Sequence, residues 1–140
     1  MTTNAQTSVG SSLTRGDGES NEAFTAIAEI NSIGGPDKSR EMIDVTTLDS
    51  VGGYDEFVPS FRDGGMVTLN GNWTRDEYET LLGDFDSDSS VNYQIVVNDT
   101  GGTTYDFTGY VQSIGRAIPN KGKIEMTVSI KVTGTETMSS

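Results

Sequence analysis

The chain has 140 residues, 33% of them hydrophobic, with 17 glycines and a formal net charge of −12 from 9 basic and 21 acidic side chains. That length allows one domain with its own core and not two. It contains no Cys and no His, which excludes disulfides, thiolate chemistry, imidazole metal ligation and histidine-based catalytic triads, while the carboxylate excess opposes binding to nucleic-acid phosphates and anionic membranes.

Residues 1–21 are polar, small and rich in Gly and Ser, and read as a flexible arm with a short strand near Leu13. No basic n-region followed by an apolar run marks a signal peptide or a membrane span, so a soluble product made in the cytoplasm is expected. In FTAIAEINSI, Phe24, Ala26, Ala28 and Ile30 alternate with Thr25, Ile27, Glu29 and Asn31, the pattern of a strand with one apolar face. GGPDKS breaks that strand, and REMIDVTTL predicts a second, with Ile43 and Val45 inward and Met42 opposite.

The next stretch, Tyr54 to Gly65, has the local signals of a long loop, yet it carries Tyr54, Phe57, Val58 and Phe61. Such side chains are normally buried, and a solvated loop has no use for them. The segment either folds back on its own core or waits for another surface. Gly52-Gly53 and Gly64-Gly65 bound it and supply candidate hinges.

MVTLNGNW resumes as strand, with Gly71 marking a bulge or a close backbone approach. The period then changes. Thr74 and Glu77 form a capping-box pattern, and Tyr78, Leu81, Leu82 and Phe85 fall at i, i+3, i+4 and i+7, which predicts a short helix over 75–85. VNYQIVVN and TTYDFTGYVQSI, separated by DTGG, predict a hairpin with Val91, Tyr93, Ile95 and Val97 on one face. KIEMTVSIKV closes the domain, with Ile124, Met126, Val128, Ile130 and Val132 inward, and residues 135–140 are expected to form a flexible tail. The sum is a mainly β domain over 22–134, a β-sandwich or open barrel of about six to eight strands with one short flanking α-helix.

Few motifs survive comparison with plainer explanations. Asp84, Asp86 and Asp88 imitate the start of a calcium loop, but Ser89 and Ile95 occupy the positions that need Gly and a bidentate Glu, so a solvated acidic loop is the expectation. Arg15-Gly16-Asp17 matches an integrin tripeptide, a pattern that recurs by chance. Trp73 with Tyr54 or Tyr78 could make a carbohydrate-stacking platform, although a lone Trp before a helix is more often core. No phosphate loop, dinucleotide fingerprint or nucleophile elbow is present, and no constellation argues for catalysis or for a cofactor. The charge is uneven: residues 1–114 hold 5 basic and 19 acidic side chains, whereas residues 115–140 hold 4 basic and 2 acidic. The C-terminal strand region is therefore the natural electrostatic partner of the rest, within the chain or between copies.

DEFVPSFRDGGMVTLNGNW, preceded by EMIDVTTLDSVGGY, resembles the signature of the major tail tube proteins of long-tailed bacteriophages. FTAIAEINSIGGP and AIPNKGKIEMTVSIKVTG are similar to the first and last core strands of that family, so the resemblance covers nearly all of the chain after about residue 9. Ser60 departs from the pattern, standing where Gly is usual, and the 140 residues hold no extra immunoglobulin-like domain of the kind some relatives carry. The resemblance implies a non-enzymatic virion protein that polymerises as stacked hexameric rings into a tail tube, assembled in the host cytoplasm, with DNA passing through the lumen unbound. It also implies tape measure, tail terminator and baseplate or tip proteins as partners, no membrane and no cofactor.

Within that frame Tyr54, Phe57, Val58, Pro59, Phe61, Arg62 and Asp63 are candidates for an inter-ring assembly loop. Glu41, Asp44, Thr68 and Asn70, polar alternates of two long strands, are candidates for the lumen face of a net-negative interior. A monomeric carbohydrate- or ligand-binding β-sandwich, and the inner tube of a contractile tail or secretion device, are the alternatives.

Overall fold

A computed structural model describes residues 9–17, 23–27, 29–99 and 101–139. Its strands are β1 (Ser12–Gly16), β2 (Phe24–Ala26), β3 (Ile30–Gly34), β4 (Ser39–Asp44), β5 (Phe57–Asp63), β6 (Met66–Asn72), β7 (Val91–Val96), β8 (Thr104–Ala117) and β9 (Glu125–Ser139), with one α-helix, α1 (Arg75–Asp86). Seven strands form an antiparallel sheet in the order β2-β1-β7-β8-β9-β6-β3, and β4 pairs only with β5.

The connectivity forces the large sheet to curl. Its two edges, β2 and β3, are joined by only three residues, so Ala26 and Ile30 lie within about 14 Å of each other. Laid flat, seven strands would hold those edges roughly 29 Å apart. The sheet is therefore an open barrel, and its concave face carries the core: Leu13, Val67, Leu69, Tyr93, Phe107, Val111, Met126, Val128, Ile130 and Val132 are buried there beneath Leu81 of the helix. The register explains the selection. Leu69 stands opposite Val128 and Val67 opposite Ile130, while Thr68 meets Ser129 and Asn70 meets Thr127 on the convex face; side chains of period two cannot do otherwise once one face is buried.

Several expectations are corrected. FTAIAEINSI is two strands and not one: Glu29 takes a positive φ of 58°, and Ile27 turns inward to 6% exposure, donating its N–H to the Leu13 carbonyl at 2.9 Å. Closing the barrel needs a corner there, and alternation alone does not reveal corners. Gly71 is the expected close approach, since a Cβ at that position would press on the Glu29 carbonyl and the Ile30 Cα. Ile124 precedes β9 and is exposed, its carbonyl accepting the Trp73 N–H at 2.9 Å.

Two boundaries also differ from the sequence-based reading. The short strand expected near Leu13 is β1, and it belongs to the sheet and not to a flexible arm, because Leu13 is fully buried opposite Ile95. β9 continues through residues 135–139, and 137–139 pair with the start of β8, Met138 opposite Tyr105. Residues 1–8 and 18–22 of the arm, and Ser140, lie outside the described residues.

The helix forms where expected but sits rotated. Leu81 and Asp84 are its buried residues, whereas Leu82 and Phe85 are exposed. The cause is Asp84, which turns inward to meet Arg15 of β1 and Tyr93 of β7. The capping box is not made: Thr74 Oγ1 is buried without a hydrogen-bond partner, and the first turn is closed by the Tyr78 N–H on the Thr74 carbonyl at 3.0 Å.

Candidate functional site

The segment read as an assembly loop is the outer half of a hairpin that stands apart from the barrel. β5 contributes Phe57, Val58, Pro59, Phe61, Arg62 and Asp63, paired with β4 through Asp44–Phe57, Ile43–Val58, Met42–Pro59 and Arg40–Arg62. The local loop signals misled because a register irregularity between Arg40 and Met42 accommodates Pro59 and Ser60 within the ladder. Every residue of β4 is exposed, and all of β5 except Ser60. Tyr54 is 77% exposed, Phe61 85% and Phe57 54%, joined by Leu48, Val51, Val58, Met42 and Ile43. An apolar surface this extensive on a two-stranded ribbon has no core of its own to join; two strands alone are marginal in water, and such patches mark contact surfaces.

The tip is nevertheless organised. Asp44 accepts the Thr46 N–H at 2.8 Å, which holds its carboxyl below the ordinary range together with the Thr46 hydroxyl. Thr46 Oγ1 accepts the Glu56 N–H at 2.8 Å, and the Ser50 hydroxyl donates to Glu56 Oε2 at 2.9 Å. Gly52 and Gly53 take positive φ values of 69° and 73° in the 3₁₀ turn Val51–Gly53, where only glycine is at ease.

At the root the two other candidate hinges are packed. A Cβ on Gly65 would collide with the backbone of Asp37, one on Gly64 would press on Val132 and the Gly134 carbonyl, and the Gly65 carbonyl accepts the Val132 N–H at 3.1 Å. Lys131 Nζ donates to Asp63 Oδ1 at 2.7 Å and the Gly65 N–H to the same oxygen at 2.9 Å, holding the Asp63 carboxyl below its ordinary pKa. The hairpin is thus anchored against β9 and free at its far end.

The four candidate lumen residues do not share a face. Glu41 and Asp44 ride on the hairpin, while Thr68 and Asn70 belong to the convex face of the barrel. That face is uncharged through its middle, between Lys131 and Glu125 at the two ends of its β9 row: Asn70 accepts the Thr127 hydroxyl at 2.9 Å and donates to Ser32 Oγ at 3.3 Å, beside Thr68, Ser113 and Ser129. Trp73 and Tyr78 lie 6.0 Å apart, tilted by 47°, and both pack against the core, so they form no platform with Tyr54 on the hairpin. No group of three or more acidic side chains poised for a metal ion occurs among the described residues, and no described helix is long and apolar enough to cross a membrane.

The ion pair that sequence reasoning missed lies in the barrel wall. Arg15 Nε and Nη2 donate to Asp84 Oδ2 and Oδ1 at 2.6 and 2.5 Å, and the Tyr93 hydroxyl donates to Oδ2 at 3.0 Å. Burial, then the Asp84 charge, push the Tyr93 phenol far above its ordinary pKa, and the hydrogen bonds that Arg15 donates to Asp84 raise that of Arg15. Asp84 therefore serves structure and has no oxygen to offer calcium.

An open antiparallel barrel, one flanking helix and a projecting apolar hairpin define the fold. The chain belongs to the lambda phage tail tube protein family, whose model matches residues 10–139; it is a tail tube protein. Its fold is similar to a chain in the tail of an empty gene transfer agent (GTA) particle refined with C6 symmetry, at 20% identity and a TM-score of 0.75, covering 92% of this chain and 96% of that one. The SPP1 tail tube is similar at 11% identity and TM-score 0.67, covering 91% and 75%. A chain of the sheath–tube complex of an extracellular contractile injection system is similar at 14% identity and 0.66, covering 93% and 88%. No curated protein matches the chain.

Proposed function

We propose that copies of this chain form hexameric rings that stack into a tail tube, through which DNA passes to the host. The observation that carries the reading is the β4–β5 hairpin: an anchored ribbon whose Tyr54, Phe57, Val58 and Phe61 stay exposed, with no covering surface among the described residues. Family membership and the sixfold symmetry in the description of the GTA tail support it. The role is structural and not catalytic, with tape measure, terminator and baseplate or tip proteins as further partners of the finished tube.

The convex barrel face, with Thr68, Asn70, Ser113, Thr127 and Ser129, is the surface we assign to the lumen. Hydroxyl and amide groups let a phosphate backbone slide, whereas Lys or Arg contacts would hold it in a salt-dependent way. Electron microscopy of the purified protein tests the reading. Tubes or sixfold rings are expected, and a strictly monomeric protein at high concentration would overturn it in favour of a ligand-binding module. The contractile alternative rests on the likeness to the injection-system chain, and binding of a sheath protein outside the tube would favour it.

A further inference from the structure

The hairpin is electrically polarised along its length. From Glu41 to Phe61 it carries five carboxylates and no basic residue. At its root, a groove of roughly 850 Å³ against β9 is lined by Lys38, Arg40, Arg62 and Lys131, four of the nine basic residues in the chain. Lys38 pairs with Glu136 at 3.3 Å and Lys131 with Asp63 at 2.7 Å. The two arginines are not neutralised. They stand directly opposite each other in the ladder; Arg40 donates only Nε, to the Ser60 carbonyl at 3.1 Å, and Arg62 has no side-chain partner among the described residues. Like charges directly opposite in a ladder are destabilising, and an acidic chain has little reason to place them so without an anionic counterpart.

We infer that the root groove is a docking surface for the acidic tip of the same hairpin in a second copy, with Asp55 and Glu56 facing Arg40 and Arg62. The tip cannot reach its own root: Phe57 and Asp63 are ends of one extended strand, roughly 20 Å apart. The contact is therefore intermolecular, and made head to tail it is heterologous, of the type that closes rings or propagates filaments. The tip also brings Val51 and Tyr54, both exposed, to a groove whose floor includes Val132 and Gly134. Nucleic acid is the weaker fit, because two free cations on a surface of net charge −12 leave phosphates largely repelled.

The inference rests on the tube reading but can fail separately. Each reversal moves the charge by two, so Arg40→Glu with Arg62→Glu takes the chain from −12 to −16, Asp55→Lys with Glu56→Lys takes it to −8, and all four together return it to −12. Sedimentation of polymer at physiological salt should fall at least about tenfold for each double variant and recover in the quadruple variant and in a mixture of the two doubles. Net charge sets how every variant responds to salt, but if it alone decided assembly the −8 variant would polymerise better than the parent, and that result, or a folded quadruple variant that stays soluble, overturns the docking.

The absence of native Cys supplies a readout independent of tubes. Tyr54→Cys protein mixed with Ser39→Cys protein should give disulfide-linked mixed dimers above either homodimer. If no tubes form but the mixed dimer does, the tube reading fails and the docking stands. If tubes form and no mixed dimer appears, the reverse holds.

Discussion

Arg15 holds both carboxylate oxygens of Asp84 across 69 positions of sequence, tying the first described strand to the helix that covers the barrel. The two ends of the pair differ in exposure. The Asp84 side chain is 5% exposed and that of Arg15 29%. Removing the arginine strands a buried carboxylate, whereas neutralising the aspartate leaves a guanidinium that water can reach. Arg15→Ala should therefore cost about 3 kcal/mol, and Asp84→Asn, which can still accept from Tyr93, about 1–2 kcal/mol. Urea unfolding at pH 7 measures both, and equal costs would contradict the asymmetry.

A pH-dependent contribution to stability is expected at the hairpin root. Hydrogen bonds from Lys131 and from the Gly65 N–H lower the Asp63 pKa in the folded state, and hydrogen bonds from Thr46 and Thr103 do the same for Asp44 and Asp99. A depressed folded pKa contributes stability above the unfolded value of about 3.9, and that stability is lost as pH falls below it. Asp63→Asn should lower the urea midpoint at pH 6 and lower it less at pH 3. A difference that is the same at both pH values would show that the Lys131 pair adds nothing.

Strands with one wholly apolar face were legible because burial leaves a period-two trace. Met126, Val128, Ile130 and Val132 all point inward as their alternation requires, and Tyr93 and Ile95 do so on β7. The corner at Ile27–Glu29 left no such trace, since closure of the barrel is a property of the whole sheet and not of ten residues. Arg15 and Asp84 were hidden for the same reason. Each sits in a local pattern that suggests something else, a tripeptide motif and an acidic loop, and only the fold brings them together. The apolar content of Tyr54–Phe61 was visible, but its strand conformation was not, because Pro59 and the flanking glycines mimic a loop.

Because Phe57 and Phe61 are exposed, they contribute little to the stability of the isolated chain. The double substitution Phe57→Ser with Phe61→Ser should shift unfolding by no more than about 0.5 kcal/mol per site. The protein should remain folded and fail to polymerise. Circular dichroism establishes the first outcome and sedimentation the second. A variant that cannot fold would return both rings to the core, and one that still polymerises would remove them from the interface.

Salt separates two opposed electrostatic contributions to assembly. Copies of net charge −12 repel one another, and ions shorten the reach of that repulsion to roughly 8 Å at physiological strength. The same ions weaken attraction between the hairpin tip and the arginines at its root. Surface pairs of that kind contribute only about 0–1 kcal/mol each, whereas the repulsion sums over every neighbouring copy. Polymer yield should therefore rise as NaCl increases from low to physiological strength. The rise should be steeper for the Arg40→Glu/Arg62→Glu variant, which carries more negative charge and has no attraction left to lose. Turbidity and pelleting across a salt series measure both slopes. A yield that falls on adding salt to the parent protein would mean that the paired charges, and not the net charge, set the response of assembly to salt.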